Sequence, residues 1–395
     1  VTRSRGIKEY QLQPLRDVIQ AKRWEALDAT VEAVLAAGSA AQQRGLLIRM
    51  AGLLQQVKPE AAVRCYERAL PSLQGTLRRQ VCSNLAMILG RLKRYGEAKK
   101  YGEEAIMLRD REFTENRLTK RLVVFSLYGS DPAYCEPLVI NAQKMAQLYP
   151  GWVMRVYHDD SVPQHVLARL QALSVECVHA AEVGALSYPG TFWRFLALEE
   201  DCDAVIFRDA DSVIDEREQY LVNEWLDSGK AFHVIRDWYG HNHLILAGLW
   251  GARYGLLAGI RLWIERFLRN GNLDPKFADQ EFLQLYVWPR IKHDCLHHSS
   301  VYDLPGAQWP SGLPRHYVNP ESGRIQPLGS WLLQEYRPDT DRPYTVCLYD
   351  EEHTLICRYD FAEGKPYSLP SAYAREIERG RWRVEVIEQT DSAAE

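Results

Sequence analysis

The amino-acid sequence predicts an α/β protein. A mostly parallel sheet with helices on both faces is preceded by an all-helical repeat segment and followed by a small β-rich extension. Three observations predict this class. Alanines recur at a fixed spacing of 36 residues in the first part of the chain. From Arg121 onward, short apolar runs alternate with segments of helical period, the pattern of strand–helix–strand units. Beyond about residue 326 this alternation stops and period-two patterns typical of strands take over.

With 395 residues, the chain is long for one domain, and the expected division is 10–112, 118–325 and 326–390. An apolar fraction of 46% and a charged fraction of 25% are ordinary for a globular protein. The net charge of −4 provides no basic footprint, so nucleic acid is not expected as a partner. No apolar stretch approaches the roughly 20 residues that cross a bilayer, and no signal peptide is visible after Val1. The eight cysteines form no C-x-x-C pair and sit mostly in apolar surroundings. That argues against structural zinc and suits reduced thiols in a cytoplasm, the expected location.

The repeat comes first. Ala26, Ala62 and Ala98 share the 36-residue spacing, as do Ala33, Ala69 and Ala105, the latter followed by Val34, Leu70 and Ile106. Small residues at fixed offsets let paired helices approach closely, and a period in the thirties implies stacked helix pairs. The clearest copy runs from Asn84 through Ala98 to Leu108. It resembles the tetratricopeptide repeat, and the resemblance covers residues 14–110. It implies an extended surface for binding a partner or for homodimer formation.

The alternating region then unfolds in order. Arg121–Gly129 reads as a buried strand ending in glycine, 134–148 as a helix, and Trp152–Tyr157 as a second strand. A helix over 164–173, a strand over Val175–Val178 and a helix over Thr191–Leu198 follow. Next come a strand at Ala204–Phe207, a helix over 216–228 and a strand at Ala231–Ile235. Residues 259–269 and 279–288 read as helical. Connection rules favour a Rossmann-like half. In the extension, strands are expected around Thr345–Tyr349, Leu355–Tyr359 and Trp382–Ile387, with a polar, disordered tail from Glu388.

The most informative stretch is Ala204-Val-Ile-Phe-Arg-Asp-Ala-Asp211, an apolar run ending in two carboxylates one residue apart. In an open α/β sheet, ligands collect at the carboxyl ends of strands. If the backbone stays extended past the strand, Asp209 and Asp211 point the same way, since side chains of extended backbone repeat every second residue. Paired hard oxygens suit Mn²⁺ or Mg²⁺, which in turn hold a diphosphate. Asp201-Cys-Asp203 and Asp339-Thr-Asp341 have the same spacing. The first precedes the strand, and the second lies in a Pro-flanked loop.

Several further features surround that pair. Phe192-Trp-Arg-Phe195 lies one helix before it, Ala278-Asp-Gln-Glu-Phe282 opens a later helix, and Leu296-His-His298 follows. With them, residues 121–310 resemble a glycosyltransferase of the GT-A fold, with Asp209-Ala-Asp211 as the D-x-D motif. Asp279-Gln280, His298 and Gly306 are similar to the pattern of the lipopolysaccharide galactosyltransferase and glycogenin family. That family follows its histidine with Gly-x-Lys-Pro-Trp, whereas Gly306-Ala-Gln-Trp-Pro310 lacks the lysine.

The resemblance implies a metal-dependent glycosyltransferase that moves a sugar from a nucleotide-diphosphate donor, UDP by family prior, to a glycan or a protein or peptide acceptor. Asp211 is then the first-choice metal ligand, assisted by Asp209 and closed by His298. Tyr128, Gly129 and Ser130 lie where the fold binds base and ribose, and His158, Asp159 and Asp160 form a second candidate contact to the base. Arg194 contacts the nucleotide or the Asp pair. Asp279 is a base in an inverting enzyme, or Gln280 lies beside the anomeric carbon in a retaining one. The wall of the sugar and acceptor site is 236–250. Here His241, Asn242 and His243 are hydrogen-bonding residues, Trp238 or Trp250 a stacking residue, and Gly248 a further substrate-binding residue, unless the run 248–251 is only a tight strand end. Two alternatives stay open: a catalytically inactive repeat-based adaptor, and a nucleotidyltransferase. Against the latter, residues 128–136 hold no Lys or Arg for a phosphate loop.

Overall fold

The structure is a computed structural model and describes residues 8–115, 119–269, 277–320, 322–330 and 332–389. Of the polar tail expected to be disordered, residues 390–395 lie outside the described residues. The chain divides into two compact units, one within residues 1–117 and one within 118–395.

The first unit is all-helical: α1 (Gln13–Gln20), α2 (Leu27–Ala37), α3 (Ala40–Leu54), α4 (Pro59–Ala69), α5 (Gly75–Arg91) and α6 (Tyr95–Glu115). Proline lies at the start of α1 and of α4, where a missing N–H is harmless. The apolar stripes meet in one core that includes Leu15, Leu46, Met50 and Leu85. The 36-residue spacing is visible as ion pairs between α2 and α4, Asp28 with Arg64 at 2.8 Å and Glu32 with Arg68. Exposed pairs of this kind add little stability, but they mark a register. Ala62, Ala69 and Ala105 are buried. Ala33 is exposed, because the buried stripe of α2 is Leu27, Val31, Val34 and Leu35. Ile106, one step off the Ala105 stripe of α6, is exposed too.

The second unit begins with β1 (Arg121–Leu127), α7 (Pro132–Leu148), β2 (Val153–His158), α8 (Gln164–Ala172), β3 (Glu176–His179) and α9 (Gly190–Trp193). A 3-10 turn, Arg194–Glu199, leads from α9 to β4 (Ala204–Phe207), α10 (Glu216–Asp227), β5 (Phe232–Arg236), β6 (Trp250–Arg253) and α11 (Ile260–Leu268). Then come α12 (Ala278–Phe282), a π turn at Leu283–Val287, α13 (Trp288–Ile291), β7 (Cys295–Ser299) and β8 (Ala307–Gln308).

Eight strands form one sheet in the order β3-β2-β1-β4-β6-β5-β7-β8. Only β6 runs against its neighbours β4 and β5; the other pairs are parallel. The carboxyl ends of seven strands therefore share one edge. Both faces are covered, so β1 reads as continuous apolar sequence. Val123, Phe125 and Leu127 enter the core on one face, and Leu122 and Val124 enter the core on the other, as side-chain alternation requires.

The remaining elements are β9 (Leu333–Tyr336), β10 (Tyr344–Tyr349), β11 (Leu355–Phe361), β12 (Tyr367–Pro370), α14 (Ser371–Glu378) and β13 (Arg383–Glu388). They form two small antiparallel sheets, β11-β10-β13 and β12-β9. Tyr344, Tyr359 and Tyr373 share a core with Phe125, Leu138 and Val156. A buried carboxylate ties the layers together. Glu136 of α7, fully buried, takes both Nη atoms of Arg169 at 2.7 and 2.9 Å and the hydroxyls of Tyr359 and Tyr373 at 2.5 and 3.0 Å. No helix among the described residues is long and apolar enough to cross a membrane. All eight cysteines are free thiols.

Candidate active site

The acid pair emerges at the shared carboxyl edge. Below it, Arg208 is fully buried and pairs with Glu218 of α10 at 2.8 Å, while donating to the carbonyls of Phe207 and Trp250. The hydroxyl of Tyr149 donates to the same Glu218 oxygen at 2.8 Å. A buried charge of this kind is tolerable only when paired and hydrogen-bonded, and here it fastens the end of β4. The turn after the pair is fixed by Asn141 of α7, which donates to Ser212 O and accepts from Ile214 N–H at 2.8 and 2.9 Å. Neither Asn141 nor the Glu218 contact was signalled by any motif.

A cleft of about 580 Å³ opens above the pair, a size typical of small-ligand sites. Asp209, Asp211, Arg194, Asp279, Gln280 and Tyr128 all line it. Arg194, 3% exposed, bridges the carboxylates. Its Nη1 donates to Asp209 Oδ1 at 2.6 Å and to Arg208 O at 2.9 Å, and its Nη2 donates to Asp279 Oδ2 at 3.0 Å. Burial works against the Arg194 charge, but Asp209 and Asp279 more than offset it, so its pKa lies above the usual value. Burial raises the Asp279 carboxyl, with Arg194 opposing.

The walls are as closely fitted. With its amide oriented to suit its neighbours, Gln280 donates to Ile245 O at 2.7 Å and accepts from Ala247 N–H at 3.0 Å. Gly248 lies against the acid pair, where an added Cβ would fall 2.0 Å from Asp209 Oδ2. The Tyr128 ring rests over Gly190 in the same way and meets Trp193 edge-on. Gly129, with φ of +78°, donates to Ser161 Oγ at 2.6 Å. Ser130 is exposed and does not line the cleft. Thr191, also in the wall, buries a hydroxyl without a hydrogen-bond partner.

The structure brings other expected residues elsewhere. His243 lines the cleft. His241 closes a tight turn, its Nδ1 accepting from Asp237 N–H at 3.0 Å. Burial, aided by the Arg236 charge, lowers its pKa to about 4. Asn242 is exposed and Trp238 half-buried beside it. Trp250 is fully buried and stacked on Phe207 at 4.6 Å, which leaves it no face for a sugar. His158, Asp159 and Asp160 line a separate hollow, with His179 pairing Asp160 at 3.2 Å. Asp203, of the first decoy triplet, is held between Arg121 and Arg253 at the opposite end of β4.

His298 lies within β7, short of the carboxyl edge, and does not line the cleft. Its Nδ1 is 2.8 Å from His233 Nε2 and its Nε2 is 3.0 Å from Glu224 Oε2. His233 stacks on Trp225. Burial lowers the pKa of His298 to about 4 and that of His233 well below the usual range. The unfolded chain therefore binds protons that the folded one refuses between about pH 6.5 and pH 4, and stability falls as pH is lowered through that window. His298 is expected to cost up to about 2 kcal/mol between pH 7 and pH 5, reduced by the Glu224 carboxylate 3.0 Å away, which favours the charged ring, and His233 adds in the same direction. Urea midpoints at both pH values check this, with His298→Gln expected to flatten the difference.

Two carboxylates in the cleft, Asp209 and Asp211, are suited to a hard divalent cation. Among the described residues no group of three or more His, Cys, Asp or Glu side chains is placed to hold one. Such an ion would need its remaining oxygens from a ligand's phosphates and from water, the usual arrangement for Mg²⁺.

No protein-family model and no curated protein matches this chain. Solved structures do resemble it. A glycosyltransferase involved in the glycosylation of the major capsid of PBCV-1 is similar at 13% identity and a TM-score of 0.32, covering 45% of this chain and 81% of that one. The galactosyltransferase LgtC, in complex with donor and acceptor sugar analogues, is similar at 15% identity and a TM-score of 0.31, covering 45% and 73%. Mannosyl-3-phosphoglycerate synthase from Rubrobacter xylanophilus is similar at 11% identity and a TM-score of 0.32, covering 67% and 91%. At these values the likeness carries no residue roles, and the functional reading rests on the cleft.

Proposed function

We propose that the chain is a D-x-D glycosyltransferase of the GT-A fold. It takes a nucleotide-diphosphate sugar as donor, with UDP as the expected nucleotide, and a glycan or protein acceptor. The observation that carries this reading is the acid pair at the carboxyl end of β4, inside a cleft that also holds Arg194, Asp279 and Tyr128. Mn²⁺ or Mg²⁺ on Asp211 and Asp209 would supply charge stabilisation for the departing diphosphate. Tyr128 offers a half-exposed ring for a base. Arg194 holds Asp209 and Asp279 at fixed positions; Asp279, whose other oxygen accepts from Gln280 N–H, is the candidate base of an inverting reaction, and Gln280 the candidate beside the anomeric carbon of a retaining one. Both hydrogen-bonding ends of Gln280 are engaged by residues 245–247, which supports a role in holding that wall. A cytoplasmic location belongs to the same reading.

The test is a hydrolysis screen of nucleotide sugars with and without Mn²⁺, with thermal stabilisation by UDP plus Mn²⁺ as a second readout. Neither turnover nor stabilisation by any nucleotide diphosphate would end this reading. Gly248→Ala is expected to push Asp209 out of place and lower turnover at least tenfold, since misplacements near 1 Å are costly in catalysis. Unchanged turnover would show that the Asp209 position is not required.

The repeat unit is proposed to recruit the acceptor or to mediate dimerisation, as helical solenoids commonly bind partners. Removing residues 1–117 is expected to spare donor hydrolysis and to lower acceptor transfer or change the mass in solution. A soluble truncation that keeps both properties would remove that role.

A further inference from the structure

The carboxyl edge carries a second feature beyond the cleft. Tyr239, in the loop after β5, is 54% exposed. Tyr302, after β7, meets it edge-on at 6.3 Å, and the ring of His316, beyond β8, lies nearly parallel to it at 6.0 Å. Trp238 meets it edge-on at 5.5 Å. The rings are braced by polar contacts. Tyr302 Oη donates to Tyr239 O at 2.6 Å, and Tyr239 Oη lies 3.4 Å from His316 Nε2. Exposed aromatic groups are seldom clustered without a use, and rings held in advance lose little freedom when something stacks on them.

The loop that carries Tyr239 continues into the cleft wall. His241 N–H donates to Trp238 O, closing the turn that carries Tyr239. Four residues after Tyr239, His243 lines the cleft, and Arg236 Nε donates to its carbonyl at 3.0 Å. Arg236 Nη2 also donates to the next carbonyl, that of Leu244. One braced loop thus runs from the aromatic group to the acid pair.

We propose that Tyr239, Tyr302 and His316 form a stacking platform for a sugar ring of a neutral glycan acceptor, an assignment that rests on the glycosyltransferase reading above. A pyranose has an apolar C–H face ringed by hydroxyls, which matches an aromatic face with polar tips. The charged groups beside the platform, Arg315 and Asp303, are 4.0 Å apart and offset each other. The surface therefore has little net charge with which to select an ionic acceptor. A protein acceptor would then be engaged through sugars it already bears.

Saturation-transfer NMR on the full chain tests this, with lactose, maltotriose and chitotriose as probes. At least one probe is expected to receive saturation from the wild-type protein. The signal should drop at least fivefold in Tyr239→Ala and in His316→Ala, and return in Tyr239→Trp. The thermal shift with UDP plus Mn²⁺ should stay in every variant. No probe binding to a protein that still responds to UDP plus Mn²⁺ overturns the platform, as does undiminished binding in either alanine variant. Tyr239-dependent sugar binding without any nucleotide response leaves the platform standing and sinks the donor assignment instead.

Discussion

Asp211→Asn is expected to leave the fold intact and to lower nucleotide-sugar turnover by about a thousandfold or more, close to 4 kcal/mol of transition-state stabilisation. The side chain lies in the cleft wall, 9% exposed, at the end of β4. Asparagine keeps the shape but loses the charge that would hold a divalent cation against a diphosphate. Asp209→Asn should be severe as well and should also weaken the ion pair with Arg194, which Arg208 O and Asp279 still hold. Asp201→Ala and Asp339→Ala are the controls and should change turnover less than twofold. Turnover at limiting Mn²⁺, with the UDP-dependent thermal shift alongside, decides the matter. Near-normal turnover in Asp211→Asn would remove this site from the chemistry.

The second large effect concerns stability. Glu136→Ala should destabilise the second unit by roughly 3–5 kcal/mol, the range for breaking a buried pair by removing one partner. Arg169 would keep its charge without a counter-ion, and the hydroxyls of Tyr359 and Tyr373 would lose their acceptor in a buried site. The cost should appear as a lower denaturant midpoint. Tyr373→Phe, which deletes one donor and leaves the pair, should cost near 1 kcal/mol. Equal effects from both variants would mean that the carboxylate is not the centre of the network.

The parallel strands β1 to β5 were legible because each is a short apolar run bounded by helical period, whereas β7, with two histidines, and β8, two residues long, were not read as strands; β4 pointed to a function because two acids follow its last apolar residue. Arg194 was legible from its place on an aromatic helix, although nothing in the sequence said that it would bridge Asp209 and Asp279. Both β6 and its reversed direction were hidden, since Trp250-Gly-Ala-Arg253 is short and of mixed polarity and strand direction leaves no local mark. His298 was placed by motif position. In the structure it lies inside β7, where alternation sends it toward His233 and Glu224, and ligands are met by residues beyond a strand's end. Asn141 was silent because its partners, Ser212 and Ile214, are 71 and 73 residues away. The elements β9, β12 and α14 were missed because they are short and follow proline- and glycine-rich sequence.

The reversed strand has a consequence for how this protein can change. Because β6 runs against β5, the segment 237–249 leaves the sheet and returns to it at one edge, a hairpin connection whose neck is closed by Ile235 N–H donating to Leu249 O at 3.0 Å. Lengthening such a connection costs only about 0.6 kcal/mol per doubling in closure entropy and disturbs no strand register. The part of that segment proposed to help choose the acceptor, Trp238 to His243, is therefore an exchangeable cassette, provided that Gly248, packed against Asp209, is kept. Descendants of one ancestor could acquire new acceptors by swapping that cassette and inherit the donor chemistry unaltered, and loop grafting between such relatives offers the same freedom at the bench.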